Sequence, residues 1–196
     1  MGMDCYIRAA DQTEAEKEAQ ITGFDITKGD VGYLRESIGG VHAATWLFPE
    51  AFADDEGSLE GPRTWYSTGG ERQMAESIFG FFNKEAEKTP GMTIEGPDLD
   101  VAASGFPPEG YCVEAERVES EETYTFGDKT ETWTEVSFRI PVEVLKQRLP
   151  LVEALVRKRY GGDPYEEQAV KSYYSFVEVY EALEAEGRQP SIYVSY

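Results

Sequence analysis

Tyr33, Arg35, His42 and Trp46 are the residues whose types and spacing come nearest to a chemical site in this sequence. They lie in the stretch Gly32 to Phe48 (GYLRESIGGVHAATWLF), which holds the chain's only histidine. Read as a helix, Arg35, Gly39, His42 and Trp46 fall on one stripe, and Leu34, Ile38, Val41, Thr45 and Phe48 on the adjoining one. The apolar stripe is core. The other lines up a guanidinium, an imidazole and an indole, with a glycine where a partner can approach the backbone. That set suits a nucleotide-like anion: arginine for phosphate or carboxylate, tryptophan for stacking, histidine as donor. Ordinary packing explains the same residues. A Gly-Gly pair costs about 1 kcal/mol per glycine inside a helix and would break the segment at 39 and 40. Arg35 then pairs with an acid, His42 sits in the core and Trp46 simply packs. The sequence leaves both readings standing.

The second candidate surface is electrostatic. Thirty-eight Asp and Glu against 18 Lys and Arg give a net charge of −20. Glu114, Glu116, Glu119, Glu121 and Glu122 fall close together in a predicted hairpin, where alternate positions would line an acidic strand face. Such a face imitates a phosphate backbone toward a basic partner, while the same charge also serves plain solubility. It repels nucleic acid, so direct nucleic-acid binding is not expected. The one tight basic cluster, Arg157-Lys158-Arg159, belongs to a helix carboxyl end, where the dipole favours cations.

Most other chemistry lacks its residues. There is no Gly-x-Ser-x-Gly elbow, no cysteine-protease signature and no Gly-rich phosphate loop. One histidine excludes metal sites built on several imidazoles. Asp54-Asp55-Glu56 and Asp98 with Asp100 lack the calcium-loop pattern and read as solvated loop charges. No catalytic residue, metal or cofactor is assigned; enzymatic activity stays open, with the balance against it.

The elements that would position these residues fit one domain spanning 1–196. Met3 to Arg8 reads as a strand, and Thr13 with Glu16 as a capping box opening a short polar helix. Gly29 to Gly32 is a turn. Exposed loops are expected near 49–70 and 89–110, separated by a helix from Glu71 to Lys88. Two strands between Tyr111 and Ile140 turn at Phe126-Gly-Asp-Lys129, with Thr134, Val136, Phe138 and Ile140 inward. Pro150 is expected to kink or split the next helix, giving Val142 to Leu149 and Leu151 to Tyr160. The last helix begins at Asp163-Pro164 with Glu166, buries Ala169, Tyr173, Phe176, Val177, Tyr180 and Leu183, and closes at Gly187. Ser191 to Tyr196 is a terminal strand. The class is α+β: a largely antiparallel sheet, including both terminal strands, packed against several helices. No secretory signal or membrane span is read, and Cys5 and Cys112 read as reduced buried thiols, so a cytoplasmic protein is expected.

The opening Met1-Gly-Met-Asp4-Cys-Tyr6-Ile, the run Gly32-Tyr33-Leu-Arg35 followed by His42, Trp46 and Phe48, and the terminal Tyr193-Val-Ser-Tyr196 carry a resemblance. Together they resemble small uncharacterised phage and prophage proteins that begin MGLDMYL and carry a GYWRK helix with a histidine. Leu34 stands where that family has tryptophan, and the middle of the chain matches none of its motifs. The resemblance implies a phage-type accessory protein of the host cytoplasm and implies no chemistry. The leading expectation is therefore a non-catalytic protein that engages a basic surface of a host protein through its acidic face. The alternatives are a small-ligand protein or enzyme using Tyr33, Arg35, His42 and Trp46, or a scaffold with no site.

Overall fold

The structure is a computed structural model, and it describes residues 2–21, 27–37, 43–52, 107 and 111–195. His42, the Gly39-Gly40 pair, the expected helix from Glu71 to Lys88 and nearly all of the expected loops lie outside the described residues.

Six strands form one antiparallel sheet: β1 (Gly2–Arg8), β2 (Thr27–Lys28), β3 (Tyr33–Ser37), β4 (Glu116–Phe126), β5 (Lys129–Arg139) and β6 (Ser191–Ser195). Their order across the sheet is β2-β3-β1-β6-β5-β4. The two terminal strands are neighbours, with Cys5 opposite Val194 and Tyr6 opposite Tyr193. The protein is thus α+β with both ends of the described chain inside the sheet, as the alternation at each end implied.

One face of the sheet carries Cys5, Ile7, Leu34, Ile192 and Val194, all buried. Against it pack the helices α2 (Ala43–Leu47), α3 (Val142–Tyr160) and α4 (Glu166–Ala185). α4 starts at Glu166, later than the expected Asp163: Asp163 accepts the Tyr165 N–H at 2.8 Å in the preceding turn, the Glu166 carboxylate accepts the Gly162 N–H at 3.2 Å instead of completing the expected box, and Gly187 closes the helix at φ 77°. Its buried stripe includes Ala169, Tyr173, Phe176, Val177 and Tyr180, with Leu183 partly buried. The Tyr180 hydroxyl accepts from the Ile140 N–H at 3.1 Å and donates to the Pro190 carbonyl at 2.9 Å, tying α4 to the end of β5 and the start of β6. α1 (Glu14–Ile21) opens on the expected capping box, Thr13 N–H to Glu16 at 2.7 Å and Glu16 N–H to the Thr13 hydroxyl at 3.2 Å.

The turn before β3 explains two glycines. Gly32 has φ 73° and donates to the Gly29 carbonyl. A Cβ on Gly29 would lie 1.7 Å from the Ser172 carbonyl oxygen, so this turn meets α4 backbone to backbone.

Four expectations are corrected. Tyr33–Ser37 is strand, not helix, because pairing with β1 on one side and β2 on the other satisfies its backbone. α3 is one helix through Pro150. Pro150 and Lys146, whose carbonyl it frees, are exposed, while Leu145, Leu149, Val152, Leu155 and Val156 stay in one core. The first residues of the expected 49–70 loop are a buried 3₁₀ turn, Pro49–Phe52, which docks on the core through Phe52. On β5 the face expected to be wet is dry at Glu135 and Ser137, while Val136 and Phe138 are only half-buried and Thr134 is exposed. Side chains from β1 and β6 cover Glu135 and Ser137, as the site geometry shows.

Candidate functional site

Across β1, β3, β5 and β6 the second sheet face carries tyrosines and charges. Tyr6 stands between Tyr33 and Tyr193, with ring centroids 5.3 and 6.1 Å apart. The Arg8 guanidinium lies 4.7 Å from the Tyr6 ring and 5.3 Å from the Tyr193 ring, then reaches Glu135 at 2.9 Å. Glu135 is 2% exposed. Arg8 also donates to Gln20 at 2.8 Å, and Ser137 and Ser191 share a hydrogen bond at 2.8 Å. This face is internally satisfied and works as a polar second layer.

Two of the four residues of the nucleotide-site reading belong to it. Tyr33 and Arg35 share the face through strand alternation and converge on Asp4, the tyrosine donating at 2.6 Å and the guanidinium lying 3.9 Å away. Burial, and then the Asp4 contact, push the Tyr33 hydroxyl well above its ordinary pKa of 10.0. Trp46 is elsewhere, fully buried on the helical side, its ring 5.1 Å from Tyr111, whose hydroxyl donates to the Trp46 carbonyl. The sheet therefore separates Tyr33 and Arg35 from Trp46. With Arg35 beside an acid and Trp46 in the core, the lined-up stripe does not form.

A buried clasp was invisible to sequence spacing. Arg148 on α3 bonds both oxygens of Glu50, at 2.9 and 2.7 Å, and the carbonyls of Leu47 and Tyr111. Glu50 also accepts the Val113 N–H at 2.8 Å. Every partner is satisfied, so the clasp joins three distant segments rather than awaiting a ligand. Among the described residues no group of three or more His, Cys, Asp or Glu is placed to hold a metal.

The acidic residues gather differently from expectation. Glu116 and Glu122 share one face of β4, whereas Glu119 and Glu121 lie on the other; Glu114 precedes the strand. Three are paired: Glu116 with Arg139 at 2.8 Å, Glu122 with Lys17 at 2.7 Å, and Glu119 with Arg117. The five glutamates do not make a single acidic face.

They do mark the root of a projecting arm. β5 meets β6 only at Ser137 and Phe138, and from Lys129 to Thr134 it pairs with β4 alone. Those six residues are all exposed. The hairpin thus extends as a two-stranded ribbon for about 20 Å at the usual rise per residue. One side of the ribbon aligns Thr123, Thr125, Thr130, Thr132 and Thr134, with cross-strand hydroxyl contacts at 3.1 and 3.3 Å. The other presents Glu131 and Trp133, the indole 37% exposed. Residues 121–134 hold four acids and one lysine.

Fold and surface together define an α+β protein with a six-stranded antiparallel sheet, a half-buried polar face and an acidic β-arm. Compared with protein-family models, with curated proteins and with solved structures, the chain matches none. Among the described residues no helix is long and apolar enough to cross a membrane.

Proposed function

We propose that this chain is a non-catalytic binding protein that engages a basic surface of a partner protein through the β4–β5 arm. The observation that supports this most is the arm itself, six β4–β5 residue pairs beyond the contact with β6, exposed all along Lys129 to Thr134 and at Glu121, Thr123 and Thr125. An isolated two-stranded ribbon is marginally stable in water, and covering it by a partner removes that weakness. β4 is also an edge strand. Its glutamates on both sides repel a second copy of this acidic chain, so the edge favours a cationic partner over self-association. The resemblance of both termini to phage and prophage proteins supports a host protein as that partner and the host cytoplasm as the compartment.

Affinity capture at rising salt, comparing the native chain with Glu121→Lys/Glu131→Lys and with Trp133→Ala, tests the reading. The expected result is a partner retained at low salt, released as salt screens the contact, and lost with the charge-reversed arm. Capture that ignores salt and arm charge, or no capture at all, removes the proposal.

A further inference from the structure

β4 leaves the sheet with a long, unbroken edge. β4 and β5 stay in step through every pair from Glu116 opposite Arg139 to Phe126 opposite Lys129, with no bulge. The chain reverses through Gly127 and Asp128 alone, and of these two Gly127 has the positive φ, 61°. That is a two-residue type II′ turn, whose flanking residues, Phe126 and Lys129, exchange both backbone hydrogen bonds. Counting back in twos, Tyr124, Glu122, Ser120 and Val118 also bond β5. Thr125, Thr123, Glu121 and Glu119 therefore turn their N–H and C=O groups to the free side. Among the described residues no strand takes these groups up, and all four residues are exposed.

β5 has a free edge of its own at Thr130, Thr132 and Thr134, beyond its two pairs with β6. Charge separates the two edges. The outward positions of β4 include Glu119 and Glu121, whereas those of β5 carry threonine alone. Proteins usually blunt an open edge with proline, lysine, a bulge or a short strand. From Val118 to Phe126 β4 has none of these and carries three glutamates instead. Carboxylates there turn away acidic strands, a second copy of this chain included, and leave the edge open to a cationic one.

We infer that the partner engages this edge by strand addition. An extended segment with Lys or Arg at every second position pairs with β4 from Glu119 to Thr125, its cationic side chains opposite the glutamates. The inference rests on the reading of the arm as the binding surface, and it narrows the partner's basic surface to one extended strand. Main-chain bonds supply affinity and the alternating cations supply the choice of partner. The paired stretch runs about 20 Å at the usual rise per residue.

A capped heptapeptide of alternating lysine and threonine, with lysine at both ends, is the probe, titrated into the full chain by calorimetry and amide chemical-shift mapping. Expected are one site, shifts centred on Glu119 to Thr125, and affinity that falls with salt. An added strand uses the N–H groups of alternate residues only, so N-methylation of one alternating set should abolish binding and of the other should spare it. Thr123 and Thr132 stand opposite each other on the two edges. Proline at either position removes an outward N–H and leaves the β4–β5 bonds in place, which amide protection checks. Thr123→Pro should weaken binding about tenfold or more, as loss of a backbone bond with added steric block does, and Thr132→Pro should leave it unchanged. No binding, equal loss with both N-methylated peptides, or a heptapeptide of the same composition with its lysines grouped together binding as tightly overturns strand addition. The N-methylated peptides decide this whatever the prolines do to the ribbon. Lysate capture that keeps its dependence on salt and arm charge in Thr123→Pro overturns strand addition alone and leaves the arm as the binding surface; no capture by the native chain overturns both.

Discussion

Arg8 on β1 and Glu135 on β5 meet across the full width of β6, 127 positions apart in sequence, with the guanidinium 2.9 Å from the carboxylate. Their side chains are 12% and 2% exposed. Removing one partner strands a buried charge, so Glu135→Ala should cost about 3–5 kcal/mol in denaturant unfolding. Arg8→Met combined with Glu135→Leu should recover most of it. A single substitution costing under about 1 kcal/mol would show that water reaches the pair.

Gly29 should tolerate no side chain. The Ser172 carbonyl lies where a Cβ would go, and backbone on both sides cannot swing away. Gly29→Ala should destabilise by about 3 kcal/mol, at the upper end of overpacking effects. Gly127→Ala, with open space around its Cβ position, should cost only the positive-φ penalty of about 1 kcal/mol. Equal midpoints for the two variants would contradict the close approach of the turn to α4.

Acid should loosen the α1 attachment in a defined window. Hydrogen bonds from Arg188, then from the Thr13 backbone and hydroxyl, lower the Glu16 pKa from 4.5 to about 2. A carboxyl lowered on folding adds stability above its unfolded pKa and loses it as pH falls through the folded one. Melting temperatures between pH 5 and pH 2 should therefore fall more steeply for the native chain than for Glu16→Gln. Parallel curves would place the Arg188 contact outside the folded state.

Cys112 should be a sluggish thiol. Burial, and then the nearby Glu50 carboxylate, push its pKa to about 12. At pH 8 the thiolate fraction is roughly one in ten thousand, and the thiolate is the reactive form. A disulfide reagent should label this half-buried thiol much more slowly in the folded chain than in the unfolded one, and equal rates would refute the raised pKa.

Local signals alone determined the elements that carry their own hydrogen-bond logic. The Thr13–Glu16 box, the Gly187 stop of α4 and the Phe126–Lys129 turn each depend on residues within a few positions, and each stands as read, whereas α4 starts at Glu166 rather than Asp163. Alternation likewise placed a strand at either end of the chain. Tertiary structure decided everything that needed a distant partner. Tyr33 to Ser37 became a strand because β1 and β2 flank it, overriding a helical spacing that Leu34 and its followers happened to satisfy. Glu135 looked wet until Arg8 arrived from the opposite end of the chain, and Glu50 and Arg148, 98 positions apart, showed no mutual spacing at all. The acidic residues were legible as a cluster but not as an arm, since that depends on where β6 stops pairing with β5. Periodicity reports which side of one element is apolar; which neighbour covers the other side is settled only when the chain folds back on itself.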